Sequence, residues 1–191
     1  MRYVVVDLEA TCWEQGGSPD RMEIIEIGSV LLESSGGPAS REFGSFVRPV
    51  ASPQLSEFCT RLTSIRQEDV DSADAFPEVF SRFLEWIGPE PFTLCSWGAY
   101  DLNQFRKDCR RHGMELPPAF ERHVNLKQEY ARLRGVKPMG MSRALVKEGI
   151  PLEGTHHRGM DDARNIAKLA QIILPKIVLP QIVLPEIEAG R

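Results

Sequence analysis

What the chain lacks narrows it first. No apolar run in its 191 residues reaches the roughly eighteen to twenty that a membrane-spanning helix needs. The opening MRYVVVDLEA has no basic region, apolar core or small-residue cleavage site, so no signal peptide is expected and a cytoplasmic location follows. Cysteine is sparse and scattered. Cys12, Cys59, Cys95 and Cys109 form no C-x-x-C pair, which argues against a zinc cluster, and the expected compartment argues against disulfides. Reduced, mostly buried thiols are the expectation. An excess of positive charge is also missing. With 23 Lys and Arg against 27 Asp and Glu, the net charge is −4, so the field of the whole molecule does not attract a polyanion. Any phosphate contact must be local, through bound metal or a few basic side chains. Wholesale disorder is excluded by 42% hydrophobic and 26% charged residues, and the length suits one domain with a full-sized core.

Three strand-like stretches come first, Tyr3–Leu8, Glu23–Leu32 and Glu42–Val47. The turns EQGGSPDR and ESSGGPAS separate them, as in an antiparallel meander. After a break at Pro49–Pro53, LTSIRQEDV predicts one or two short helices. FPEVFSRFLEWI places Phe76, Val79, Phe80, Phe83, Leu84 and Ile87 at helical spacing. PFTLCSW reads as a strand, YDLNQFRKDCRRHG as a helix ending at Gly113, and HVNLK as an edge strand. GMSRALVKEG and MDDARNIAKLAQIIL predict two further helices. The order implies an α/β fold with a mixed five-stranded sheet, an antiparallel meander plus parallel strands, flanked by helices on both faces. The tail repeats Leu-Pro with a period of five, at Pro175, Pro180 and Pro185, which excludes a regular helix. Residues 1–174 therefore read as the domain. Residues 175–191 read as an apolar arm that covers its own domain or packs in a homo-oligomer, or else as a docking peptide for another protein.

In a strand, side chains two apart share a face, so Asp7 and Glu9 of VVVDLEAT project together, a costly pairing unless a cation or a shared proton neutralises it. Asp101 stands at the start of a helix just past the fourth strand, and Asp161 and Asp162 near the start of the last helix. Taken singly, these three fit first-turn acids that complement a helix dipole. Together with Asp7 and Glu9 they can converge on one edge of an α/β sheet, where ligands usually bind. Hard oxygen donors suit Mg²⁺ or Mn²⁺, and two such ions roughly 3.5–4 Å apart can clamp the attacking and leaving oxygens of a phosphoryl displacement. A base is needed beside them. His157 lies five residues before Asp162 and His156 five before Asp161, so spacing alone leaves two registers open. His112 and His123 read as solvated loop residues.

VVVDLEAT, SWGAYD and HHRGMDDARNIAKL together resemble the DEDDh 3′→5′ exonucleases of the DnaQ-like, RNase H-like superfamily, and within it the Eri-type, 3′-histone-mRNA exonuclease-like group. MEIIEIGSVLL and LSEFCTRLTSIRQEDV add to the likeness, which covers about residues 1–174. The resemblance implies an RNase H-like fold, with Asp7, Glu9, Asp101 and Asp162 as ligands of two divalent ions and Glu9 and His157 in catalysis, His157 as general base. A small residue and an apolar helix follow the last acid in the family, which favours the His157/Asp162 register over the one a residue earlier. The resemblance also places a terminal nucleotide against Leu8, Glu9, Ala10 and Thr11. Phe58 and Trp97 either stack on bases or pack in the core. Arg61, Arg66 and Arg158 are further phosphate candidates.

The reading is a metal-dependent 3′→5′ exonuclease that acts on single-stranded RNA or DNA 3′ ends, with RNA favoured, and releases nucleoside 5′-monophosphates. A DNA-directed proofreading or repair exonuclease is the first alternative. A regulatory protein-binding module on the same fold is the second, against which stands the complete set of four acids and a histidine.

Overall fold

The structure, a computed structural model, describes residues 1–177. Strand β1 (Arg2–Ala10) pairs antiparallel with β2 (Ile24–Leu32), and β2 antiparallel with β3 (Ala39–Phe46). Two short helices follow, α1 (Glu57–Thr63) and α2 (Gln67–Asp71), and then α3 (Phe76–Ile87). Strand β4 (Phe92–Ser96) runs parallel to β1 and leads into α4 (Tyr100–Arg111). Strand β5 (His123–Asn125), parallel to β4, runs straight into α5 (Leu126–Arg134), which α6 (Met141–Glu148) and α7 (Gly159–Ile173) follow. The sheet order is β3-β2-β1-β4-β5, so the first strand lies at the centre and the expected mixed five-stranded sheet is present.

Alternation along β1 divides the core. Val4, Val6 and Leu8 face a cluster filled by Phe76, Phe80 and Phe83 of α3 and Leu102 and Phe105 of α4. Tyr3 and Val5 face the other layer, built from Tyr130 of α5, Leu145 of α6 and Ile166, Leu169 and Ile173 of α7. Burial of each large side chain stabilises the fold by about 1.5–3 kcal/mol, so both faces of the sheet are committed to their helices. A smaller cluster, Ile25, Cys59, Ile65 and Val70, seats α1 and α2 beside β2.

Helix α5 departs from the sequence reading. HVNLK is a strand only as far as Asn125, whose side chain accepts the Gln128 N–H and so starts a helix at Leu126. Strand β3 begins earlier than expected, at Ala39, because this edge strand is mostly exposed and carries little apolar alternation. At the far end, Leu174–Lys176 form a 3-10 turn directly after α7. The remainder of the expected 175–191 arm, from residue 178 on, lies outside the described residues. Among the described residues no helix is long and apolar enough to cross a membrane.

Candidate metal centre and nucleic-acid cleft

The cluster is assembled around the C-terminal end of β1. Asp7 and Glu9 continue the face of Val5, toward α7. In the ladder Asp7 lies opposite Gly28 and Glu9 opposite Glu26. The start of α7 rests on that part of β2 so closely that a Cβ on Gly28 would lie 2.0 Å from the Gly159 carbonyl carbon. Only a glycine lets the helix approach to this depth. Glu26, 3% exposed, holds the helix there by accepting the Gly159 N–H at 2.9 Å and the Arg158 guanidinium at 3.2–3.3 Å. Asp162, in the first turn of α7, thereby arrives beside the strand acids. Carboxylate oxygens of Asp7, Glu9 and Asp162 all lie within 4.8 Å of one another. Asp101 comes from the first turn of α4 and accepts the Leu8 N–H at 3.1 Å, which pins that helix to the end of β1.

These acids repel one another in a poorly solvated place. Burial and the charges of Asp101, Glu9, Asp162 and Glu26 raise the Asp7 carboxyl well above the usual carboxylate range. Burial, followed by Asp162 and Glu26, pushes Glu9 up to about 8. Asp101 is pushed up to about 6 by burial, opposed by the bond from Leu8 N–H. Acids held this way would be matched by a cation among them. The donors are all carboxylate oxygens, which fits a hard divalent ion.

Both histidines face the cleft. The His156 ring lies with Nδ1 2.8 Å and 3.1 Å from the two Asp162 carboxylate oxygens, while His157 donates its backbone N–H to Asp162 at 2.9 Å. His157 holds φ +65, stacks its ring on His156 at 4.1 Å between centroids, and is displaced downward from its ordinary value, mainly by burial. Asp161 turns elsewhere, accepting the Thr155 N–H and pairing with Arg164. Of the two adjacent acids, Asp162 is therefore the one in the cluster.

A cleft of about 400 Å³ opens over the acids, lined also by Leu8, Ala10 and Trp97. Trp97 is 9% exposed and donates its indole N–H to Met139 O, so most of the ring is core and one edge faces the cleft. Thr11 lies outside the cleft lining; it is buried, and its hydroxyl accepts the Glu23 N–H. Phe58, half-buried on α1, sits one turn before Leu62, which lines the cleft. The arginines are engaged with acids, Arg61 with Glu14, Arg66 with Glu68 and Asp69, and Arg158 with Glu26. His123 and His112 correct the sequence reading: both are half-buried, His123 with Nε2 2.8 Å from Ser96 Oγ and His112 at the end of α4 with its ring stacked on Phe76. Sequence reasoning gave no role to Tyr100, Met22 and Leu62, although they lie in the stretches SWGAYD, MEIIEIGSVLL and LSEFCTRLTSIRQEDV, or to the Gly140–Met141 rim, and it missed Glu26. The one trace of Glu26 is a charged residue inside the otherwise apolar run IIEIGSVLL.

Comparison with known proteins agrees with this geometry. ERI1 exoribonuclease 2 of Danio rerio is 36% identical over 189 residues, covering 88% of this chain and 34% of that protein. The 3′-5′ exoribonuclease 1 of Homo sapiens is 33% identical over 177 residues, covering 87% and 50%. The chain thus spans between a third and a half of the length of these relatives. The nuclease domain of 3′hExo, a DEDDh family member solved with bound rAMP, superposes with a TM-score of 0.85 at 31% identity, covering 91% of this chain and 92% of that one. A further structure, of 3′-end-specific recognition of histone mRNA stem-loop by 3′-exonuclease, has the same TM-score at 30% identity. The RNase_T family, described as exonuclease, matches residues 4–170, from the strand before Asp7 to the helix after Asp162. The chain belongs to the RNase_T exonuclease family and, with its DEDDh neighbours, to the Eri and 3′hExo group within it.

Proposed function

We propose that the chain is a divalent-metal-dependent 3′→5′ exonuclease that removes nucleoside 5′-monophosphates from single-stranded RNA ends. The observation that carries this reading is the convergence of Asp7, Glu9, Asp101 and Asp162 in one open cleft beside two histidines. RNA is favoured over DNA because the relatives at 33–36% identity are named exoribonucleases. Mg²⁺ or Mn²⁺, two ions held by these four acids, would neutralise charge on the attacking and leaving oxygens.

The other roles belong to the chain itself. His157, held mainly neutral by burial, accepts a proton from the attacking water. His156, in contact with both Asp162 oxygens, orients that carboxylate. The end of β1, at Leu8 and Ala10, forms the floor under the terminal nucleotide. The proton that leaves water is returned to the 3′ oxygen of the shortened strand, so each turn consumes one water and frees one 5′-monophosphate.

Short 5′-labelled RNA and DNA oligomers, incubated with Mg²⁺, Mn²⁺ or EDTA, test the reading. Stepwise shortening from the 3′ end is expected with either ion, faster on RNA, and absent in EDTA. Asp7→Ala should lose at least about 10²-fold in rate while staying folded. Faster cleavage of DNA selects the DNA-directed alternative. No cleavage with either ion, or Asp7→Ala within tenfold of the parent, refutes the assignment.

A further inference from the structure

We infer that Cys12 and Cys59 form an oxidisable dithiol at the wall of the cleft, which a peroxide converts into a disulfide linking the segment after β1 to α1. The two residues are 47 positions apart in the chain yet are joined by a single hydroxyl. Ser56 Oγ donates to Cys12 O at 2.6 Å and accepts the Cys59 N–H at 3.0 Å. The side chains meet on the same side. Cys12 packs against the small cluster that contains Cys59. Cys59 Sγ also lies 3.7 Å from Ala10 O, two residues before Cys12. Side chains packed into one cluster, on backbones tied through one hydroxyl, can rotate toward the bonding distance of about 2.0 Å.

Access and reactivity divide between the pair. Cys59 is fully buried, whereas Cys12 is half-buried and lines the cleft, so an oxidant enters from the Cys12 side. The interaction with Cys12, whose own thiol is pushed upward, lowers the Cys59 thiol, so of the two Cys59 gives up its proton first. Cys95 and Cys109 differ: both are buried, line no part of the cleft and are pushed upward by burial. In the reaction the two S–H bonds and the O–O bond of hydrogen peroxide break and one S–S bond forms. The thiols lose two electrons and two protons, and the peroxide leaves as two molecules of water.

The inference stands apart from the nuclease reading, because its readout is the bond itself. The folded full-length chain is treated with hydrogen peroxide, quenched with catalase, alkylated under denaturing conditions and digested with trypsin. Mass spectrometry should then show the peptide ending in Arg21 joined to the peptide ending in Arg61, two mass units below their sum, with Cys95 and Cys109 alkylated. Dithiothreitol should reverse it, and Cys12→Ser should abolish it. Closing a loop of this length should raise the melting temperature of the oxidised chain by about 5–10 °C, with no rise in Cys12→Ser. Alkylation of both cysteines after peroxide, Cys12 recovered as sulfinic acid or bonded to a second chain, or a link that leaves the melting temperature unmoved would overturn the proposal.

Discussion

Glu9→Gln keeps the shape of the side chain and removes its charge, and the metal-free protein should become more stable as a result. Glu9 is 8% exposed, and its carboxyl is pushed from an ordinary 4.5 to about 8 by burial, then by Asp162 and Glu26. A carboxyl that protonates more readily in the folded chain than in the unfolded one takes up protons on folding. The folded state therefore loses stability as pH rises from about 4.5 to about 8 and regains it as pH falls. At about 1.4 kcal/mol per pH unit the full penalty above pH 8 is roughly 5 kcal/mol. Asp162 and Glu26 share that repulsion, and the Gln amide has its own hydrogen bonds to satisfy, so the expected gain is about 2–4 kcal/mol. In a chain of this length that is a rise in melting temperature of roughly 5–15 °C. Thermal unfolding in EDTA at pH 8 measures it, and the gap should close at pH 4.5. Adding Mg²⁺ or Mn²⁺ should raise the parent's melting temperature and move the variant much less. A variant that melts at or below the parent in EDTA at pH 8, or a gap independent of pH, would refute the claim that these carboxylates are held together against their own repulsion.

Three further outcomes follow from the same geometry. His157→Ala should lower the cleavage rate by about 10²–10⁴-fold, remove the acid limb of the rate profile that the parent shows below pH 6.5, and leave metal-induced stabilisation intact; His156→Ala should cost less than about tenfold, and the reverse order would make His156 the base. Gly28→Ala places a methyl 2.0 Å from the Gly159 carbonyl carbon and should destabilise the fold by about 1–3 kcal/mol in urea titrations; a neutral result would show that α7 can move off β2 freely. Truncation after Ile177 leaves every cluster residue in place and should keep cleavage of short oligonucleotides, while light scattering reports any change of oligomeric state or solubility; loss of cleavage in a soluble truncation would place part of the site in the tail.

Much of the fold was readable from short-range patterns. The apolar period of FPEVFSRFLEWI marks α3 at its observed ends, Phe76 and Ile87, because one helical face must meet the sheet. VVVDLE marks a central strand that ends in acids, because a run of β-branched residues suits a sheet covered on both faces. Helix α5 was not readable, since three buried residues, Leu126, Tyr130 and Ala131, provide too little apolar period to outweigh the preceding strand signal. Asp7, Glu9, Asp101 and Asp162 were legible because like charges placed on one strand face and at helix starts need a common explanation.

What the sequence alone determined is which chemistry is available: acids at two strand ends and a helix start, and two adjacent histidines five residues before two adjacent acids. Tertiary structure decided which of the two adjacent acids joins the cluster. Asp161 and Asp162 are both first-turn acids, and the depth at which Gly159 packs on Gly28, under the hold of Glu26, turns Asp162 toward Asp7 and leaves Asp161 with Arg164. Phe58 and Thr11 belong to the same motifs as the cleft residues, yet Thr11 is spent on Glu23 and Phe58 sits a helical turn from the lining. Side-chain period tells which face a residue takes. Only the packing of one element on another tells how far it reaches, because that distance depends on residues such as Gly28 and Glu26, well over a hundred positions away from the helix they hold in place.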